Sequence, residues 1–177
     1  MTRQKSELWE WIKALIIAIL LAAIIRYFFF SPIVVEGTSM MPTLQNQDRM
    51  IVNKINYNIG DPKRFDIVVF HATKEKNYIK RVIGLPGDRI EYKEDTLYIN
   101  GEPYNEPYLQ QYKNELIDGP LTDPFIVDEV PEGELFVMGD NRRYSKDSRH
   151  IGTISIGEMI GNTNVVFWPI DDFGFVK

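Results

Sequence analysis

The most pronounced pattern in the chain is an apolar run near its N-terminus. Residues 12–30 are apolar or aromatic apart from Lys13 and Arg26, which stand close to the two ends of the run. At about 1.5 Å per helical residue, such a run reaches about 28 Å, close to the thickness of the hydrocarbon core of a bilayer. The pattern therefore predicts one transmembrane helix over residues 12–30, preceded by a tail of residues 1–11.

The charges around this run predict its orientation. Arg3, Lys5 and Lys13 precede or open it, and the cytoplasmic flanks of membrane helices are rich in cations. We expect a single-pass protein of the cell membrane with a cytoplasmic N-terminus and residues 31–177 outside. A cleaved signal peptide is disfavoured because the positions after the apolar core lack small residues at alternate sites. A buried soluble helix is disfavoured because the run has no polar face.

Beyond Pro32 the pattern changes to short β-rich segments separated by turns. Residues 102–123 are polar and contain several prolines, and we interpret them as a long, mobile surface excursion. Residues 151–160 are ambiguous. Many short strands without a convincing soluble helix predict an all-β domain of antiparallel sheets. The predicted strands lie at 33–36, 49–55, 65–71, 78–83, 89–92, 96–99, 125–127, 134–138 and 164–168.

Composition narrows the possible functions. The net charge of −5 gives no support to nucleic-acid binding. The absence of cysteine excludes disulfides and thiolate metal sites, and we expect neither a metal nor another cofactor. The two histidines, His71 and His150, are interpreted as structural or surface residues.

Ser39 is placed where it could act as a nucleophile. It follows the predicted strand 33–36 and lies nine residues after Phe30, which limits its distance from the membrane to about 30 Å. A nucleophilic serine needs a base, and Lys80, in the apolar strand 78–83, is a better candidate than either histidine. Burial would lower the pKa of that lysine and make it neutral. From spacing alone, Ser39 could instead be a turn serine and Lys80 an exposed strand lysine.

A second polar segment, residues 139–149, follows a buried-looking strand and is crowded with aspartate, asparagine, arginine and serine. It is either a solvated turn held by Asp–Arg pairs or a functional loop that orients the lysine.

Four segments together resemble the characteristic boxes of bacterial type I signal peptidases, also called leader peptidases. They stand in the family's order after a membrane anchor, the likeness covers about residues 8–170, and the single anchor is similar to the Gram-positive form. The segments are residues 39–43, 65–70, 80–88 and 139–149.

The resemblance implies a fold and an activity. The fold would be an all-β, antiparallel-sheet catalytic core with a small inserted cap, here residues 91–130, within an extracytoplasmic catalytic domain of residues 31–177. The activity would be that of a membrane-anchored serine endopeptidase that removes signal peptides from exported preproteins after small-x-small sites. Its partners would be those signal peptides and membrane lipid, without nucleic acid.

The resemblance also implies a role for each matched residue. Ser39 would be the nucleophile and Lys80 the general base. Ser145 would orient the lysine amine, Asp147 and Arg149 would brace that serine, and Asp140 and Arg142 would support the loop, with Arg81 as a further supporting residue. The substrate pockets would be lined by Val35, Met40, Leu44, Tyr78 and Ile79.

Two departures from the family pattern are visible. Gly37 stands where some members carry a serine that helps to bind the oxyanion, and Arg143 and Tyr144 replace the smaller or acidic groups expected before Ser145. Two alternative functions also fit the chain. One is a related Ser/Lys protease of other purpose, such as a self-cleaving repressor, and the other is a non-catalytic, membrane-tethered domain that binds peptides.

Overall fold

The computed structural model describes residues 2–54, 62–73 and 75–176. Helix α1 (Thr2–Phe29) leads directly into strand β1 (Phe30–Val34), so a helix covers nearly all of the predicted span. Large apolar side chains along α1, such as Leu15, Ile19 and Leu20, are more than half exposed. Over the described residues, no helix combines the length and the apolar character that crossing a membrane requires.

The body consists mainly of antiparallel strands, as the sequence pattern predicts. A larger sheet has the strand order β1-β2-β11-β3-β4-β9-β10, with β12 paired to β11, and a smaller sheet has the order β7-β6-β5-β8. In chain order the strands after β1 are β2 (Arg49–Asn53), β3 (Ile67–His71), β4 (Asn77–Gly84), β5 (Ile90–Lys93), β6 (Thr96–Ile99), β7 (Glu102–Tyr104), β8 (Phe125–Val127), β9 (Glu134–Met138), β10 (Ile154–Ser155), β11 (Met159–Trp168) and β12 (Gly174–Phe175).

Strand β1 lies at one edge of the larger sheet, where it pairs with β2. An edge position accommodates Pro32, since proline has no amide hydrogen to donate to a second neighbour. The chain then leaves the sheet and returns to it at β2, and the Val35 amide donates to the Asp48 carbonyl over 2.8 Å. Ser39 lies on the loop that this contact closes.

The smaller sheet is built from two tight hairpins. Glu94 and Asp95 connect β5 to β6, Asn100 and Gly101 connect β6 to β7, and all four residues have positive φ. Positive φ at both central residues matches the twist of paired strands, and the first hairpin joins the strands predicted at 89–92 and 96–99. The assignment of residues 91–130 as a separate cap remains a prediction.

An apolar cluster joins the two sheets. Ile83, Phe136 and Met138 of the larger sheet pack with residues of the smaller sheet such as Ile90 and Leu97. Because packed interiors transmit displacements, this cluster fixes the smaller sheet relative to β4 and β9, the two strands that lead to Lys80 and to the loop of residues 139–149.

The prediction that residues 102–123 form an irregular surface excursion was wrong. Residues 102–123 contain β7, a 3₁₀ turn (Pro107–Leu109) and helix α2 (Gln110–Glu115), and they bury Glu106 and Leu109. Their polar composition concealed this order because the ion partner of Glu106 is distant in sequence. A second short helix, α3 (Ser148–Ile151), follows Asp147, whose carboxylate caps it. The end of the predicted strand 49–55 and most of the loop after it lie outside the described residues.

Candidate active site

The structure brings Ser39 and Lys80 together. Lys80 Nζ and Ser39 Oγ lie 2.8 Å apart, and Nζ also donates to the Ile79 carbonyl over 2.9 Å. Lys80 comes from the middle of β4 and is only 4% exposed, whereas Ser39 is half-buried on the loop after β1. Their separation is within the range needed for direct proton transfer between a nucleophile and its base.

The surroundings of Lys80 favour the neutral amine. Burial lowers its pKa to about 8, although the carboxylates of Asp147 and Asp140 act in the opposite direction by favouring the charged ammonium. The Tyr78 ring lies 5.1 Å from Nζ and supplies part of this poorly hydrated environment. At pH 7 about one lysine in ten is then neutral and able to take the Ser39 proton.

Backbone contacts from both directions fix the position of Ser39. The Asn141 amide donates to the Ser39 carbonyl over 3.0 Å, and Asn141 Nδ2 donates to the Thr38 carbonyl over 3.0 Å. On the other side, the Gly37 amide donates to Asn46 Oδ1 over 2.9 Å. Gly37 has φ of +94°, a conformation that favours glycine, so the departure at this position serves the turn itself.

Gly139 lets the loop of residues 139–149 approach Ser39 closely. A Cβ built on Gly139 would collide with the Ser39 carbonyl oxygen and with Ser145 Oγ. Because Gly139 has no side chain, the backbone of residues 139–149, which we call the catalytic loop, can lie against the backbone of Ser39.

Two ion pairs hold the loop of residues 139–149; Asp147 pairs with Arg149, as the resemblance implies, whereas Asp140, which the resemblance groups with Arg142, pairs with Arg81. Arg81 binds Asp140 through two hydrogen bonds of 2.9 and 2.7 Å, and this pair is almost completely buried. Arg149 binds Asp147 through two hydrogen bonds of 2.8 Å. Such bidentate pairs hold both partners in a defined geometry.

Asp147 also holds the loop backbone. Its carboxylate accepts a hydrogen bond of 3.0 Å from the Gly139 amide. Burial acts to raise the pKa of Asp147, but the hydrogen bond and the charge of Arg149, together with the hydrogen bonds from Gly139 and Ser145, outweigh it, so the pKa lies below its usual value. The carboxylate therefore stays ionised and keeps binding Gly139 at neutral pH.

The predicted contact between Ser145 and Lys80 is not formed in this structure. Ser145 Oγ is buried beside Gly139 and makes no hydrogen bond to Lys80, and its hydroxyl instead helps to lower the pKa of the Asp147 carboxylate. Its role in orienting the amine remains a prediction.

A groove of about 680 Å³ opens beside Ser39 and Lys80. Four of the predicted substrate-binding residues line it, namely Val35, Met40, Tyr78 and Ile79. The fifth, Leu44, does not. It is completely buried in the apolar cluster that includes Val35 and Met40, so it supports the groove from below.

Sequence reasoning missed the polar part of the groove. Charged or hydroxyl-bearing side chains line it at Glu36, Glu75, Lys76, Tyr144 and Lys146. Tyr144 and Lys146 could have been found from their positions on either side of Ser145. The described residues contain no cluster of metal-ligating side chains.

Sequence reasoning also missed a second layer beneath the loop. Arg142, predicted as a supporting residue, is buried against Glu106, Tyr92 and Tyr108, which belong to the smaller sheet and the segment after it. Nothing in the sequence marks these three residues, because each lies more than thirty positions before Arg142.

Comparisons with known proteins agree on one family. The family model described as "Signal peptidase, peptidase S26" matches residues 8–168. Signal peptidase I of Bacillus caldolyticus is 50% identical over 184 residues, covering 99% of this chain and 99% of that protein. Signal peptidase IB of Staphylococcus aureus strain MRSA252 is 40% identical over 181 residues, covering 97% of this chain and 95% of that protein.

A solved structure agrees with these relatives. The crystal structure of a signal peptidase I from Enterococcus faecalis V583 superposes with a TM-score of 0.56 at 39% sequence identity. The match covers 59% of this chain and 97% of that chain.

Proposed function

The chain belongs to the signal peptidase family, peptidase S26, and we propose that it cleaves signal peptides with Ser39 as nucleophile and Lys80 as general base. The resemblance predicted from four sequence segments is confirmed. The protein is a serine peptidase that removes signal peptides.

The observation that carries the proposed mechanism is the 2.8 Å separation between Lys80 Nζ and Ser39 Oγ in a buried setting. Neutral Lys80 takes the hydroxyl proton as Ser39 Oγ attacks the scissile carbonyl carbon. The ammonium then returns the proton to the leaving amine, which frees the mature protein and leaves an acyl group on Ser39. In the second half, Lys80 activates a water molecule that releases the signal peptide.

The supporting residues have separate tasks in this mechanism. Arg81 with Asp140, and Arg149 with Asp147, hold the loop of residues 139–149 against Ser39. The same two carboxylates oppose the loss of charge on Lys80, which keeps its pKa near 8 rather than lower. A base whose pKa lies close to the working pH is the most effective one.

The groove and the adjoining edge strand suit an extended peptide. Strand β1 pairs with β2 on one side, and its continuation, residues 33–38, lines the groove. A signal peptide could add there as a further strand, with main-chain hydrogen bonds for affinity. Val35, Met40 and Ile79 would then leave room for small side chains beside Ser39.

The proposed small-x-small specificity predicts a strong preference at the cleavage site. A preprotein with alanine immediately before the scissile bond should be cut, and its Ala→Leu variant should be cut roughly 10- to 100-fold more slowly because the larger side chain cannot be accommodated. Mass spectrometry of the released mature protein would define the cleaved bond.

Equal rates for the two preproteins, or cleavage of the alanine form at an unrelated bond, would contradict the proposed function. A leucine placed two residues before the bond is the control, since the middle position of a small-x-small site points away from the groove.

We further propose that α1 anchors the protein in the cell membrane, with the N-terminus in the cytoplasm and residues 31–177 outside. The support is the row of exposed apolar side chains on α1, which continues into Phe30 and Val34 of β1, both of them exposed. Large exposed apolar surfaces mark contacts with lipid or protein. This arrangement places Ser39 near the membrane surface from which signal peptides emerge.

Substituting lysine for two apolar residues of α1, Ile16 and Leu20, should abolish membrane association. In flotation with phospholipid vesicles, the full chain should rise with the lipid, whereas the I16K/L20K variant should stay at the bottom because charge in the hydrocarbon core is costly. Ile117→Lys, at a fully exposed position of the body, is the matched control. Unchanged flotation of I16K/L20K would exclude α1 as the anchor.

The orientation is tested separately, by adding protease outside intact cells. Resistance of residues 31–177 to that protease would exclude the proposed topology.

A further inference from the structure

We propose that Glu106 is a positioning residue for peptide cleavage, acting through Arg142 on the loop that carries the site. The inference rests on the proposed function, because its effect is defined as a loss of catalysis at Ser39. Glu106 touches neither Ser39 nor Lys80 and does not line the groove. Its contribution is to fix the position of Gly139.

The first step is the pairing of two buried charges. Arg142 and Glu106 are 2% and 5% exposed, and Arg142 Nη2 donates to Glu106 Oε1 over 2.6 Å. Burial acts to lower the pKa of Arg142, but Glu106, with smaller contributions from Tyr108 and Asp140, more than offsets it, so the pKa lies above its usual value. A buried guanidinium that lost this partner would be left without compensation.

The second step connects this pair to the reacting groups. Arg142 Nε donates to the Gly139 carbonyl over 3.1 Å, and Gly139 is the residue whose Cα lies against both the Ser39 carbonyl oxygen and Ser145 Oγ. Displacement of Arg142 therefore displaces the backbone that borders Ser39.

The third step shows that Glu106 holds more than one element. Tyr92 and Tyr108 donate hydrogen bonds from their hydroxyls to Glu106, and the Tyr108 ring stacks 3.8 Å from the Arg81 guanidinium. Arg81 is adjacent to Lys80 in β4. One carboxylate thus organises contacts to both segments of the site, the catalytic loop and the strand of the general base.

The pairing of the buried charges explains why the carboxylate that binds Arg142 comes from Glu106, outside the loop of residues 139–149. The segments that resemble the family contain the acid partners of Arg81 and Arg149, namely Asp140 and Asp147. They leave the buried Arg142 to pair with Glu106. The ordered segment of residues 106–122 therefore completes the ion pairing of the catalytic loop.

An independent contact ties the same segment to the loop. Arg143 donates to the backbone carbonyls of Asp118 and Pro120 over 2.5 to 3.2 Å. Arg143 is one of the departures from the family pattern noted in the sequence. Its partners give this departure a purpose, since they fasten the far end of the segment that presents Glu106.

The test is the isosteric substitution Glu106→Gln. We expect kcat to fall about 10- to 100-fold while KM for a preprotein changes less than about twofold, since a shift of the order of 1 Å at the reacting groups is enough for such a loss. Loosening of the loop should also hydrate Lys80, which faces Asp140 and Asp147. Its pKa would then rise, and the increase of the rate with pH would occur at higher pH. Partial unfolding alone would change neither KM nor the pH profile.

Matched variants separate positioning from other causes. Glu115→Gln makes the same change at an exposed position of α2 and should leave kcat unchanged. In an Arg142→Gln background, Glu106→Gln should cost less than about twofold further if it acts through Arg142. An unchanged kcat, a rise in KM alone, or the same loss in both backgrounds would overturn the proposal.

Failure of Glu106→Gln to fold would still leave a decisive measurement. Tyr108→Phe removes one hydrogen bond to the carboxylate and keeps its charge, and it should lower kcat about 2- to 10-fold with KM unchanged. Full kcat in Tyr108→Phe would then reject the proposal. If the proposed function itself were wrong, the wild-type enzyme would already fail to release the signal peptide. If only the role of Glu106 were wrong, the wild-type enzyme would cleave and the variants would match it.

Discussion

Replacing Lys80 with methionine is expected to lower the rate of preprotein cleavage by about 10⁴-fold or more. Methionine is an unbranched side chain of similar length that fills the buried space without an amine. Ser39 Oγ would lose the group 2.8 Å away that takes its proton, and no other described side chain is within hydrogen-bond distance of that oxygen. Single-turnover cleavage, followed by gel electrophoresis, would measure the residual rate.

The controls for this substitution follow from the shared mechanism. Lys63→Met changes an exposed lysine and should leave the rate unchanged. Ser39→Ala should cost as much as Lys80→Met, and the double variant no more than either, because the two groups act as a unit. Retention of more than a few per cent of the rate by Lys80→Met would show that another group is the base.

The pH dependence of cleavage by the wild-type enzyme also tests Lys80 as the base. Burial lowers the pKa of Lys80 to about 8, and the neutral form is the reactive one. The rate should therefore rise about tenfold per pH unit below pH 8 and level off above it. A rate that is flat from about pH 6 to 10, or that falls as the pH passes 8, would be inconsistent with a lysine base of this pKa.

The sequence was sufficient wherever local pattern determined structure. Two short apolar segments separated by polar turn residues predicted the hairpin of β5 and β6, because the turn and the pairing of its two strands are both local in sequence. Continuous apolar character predicted the buried strand β3. In the same way, an apolar strand around Lys80 was the signal that this amine is poorly hydrated.

The sequence was insufficient wherever structure depended on a distant partner. Spacing could not place Ser39 beside Lys80, because the position of the loop after β1 depends on contacts to Asn141, about one hundred residues later. Residues 102–123 were interpreted as mobile because a glutamate in a polar segment gives no sign that its carboxylate meets a buried arginine. Leu44 was assigned to the groove by the family resemblance, whereas its side chain is completely buried in the apolar cluster beneath the groove.

A second large effect is expected from the smallest change available at the site, Gly139→Ala. The added methyl group would collide with the Ser39 carbonyl oxygen and with Ser145 Oγ. Ser145 can change rotamer, but the Ser39 carbonyl belongs to the backbone, so one of the two segments must move. Because Ser39 and Lys80 must stay in direct contact, we expect the rate to fall roughly 10²- to 10³-fold. Cleavage kinetics and circular dichroism together would show whether the loss occurs in a folded protein.

The matched control is Gly157→Ala, where the same methyl group would meet only Ser155 Oγ at the ordinary distance of 3.5 Å. This variant should retain the full rate. A Gly139→Ala enzyme that is folded and cleaves at more than one-tenth of the wild-type rate would mean that the loop can withdraw from Ser39 without harm. In that case the contacts from Arg142, Asp147 and Asn141 would not position the nucleophile, because their common attachment to this part of the backbone could be displaced at little cost.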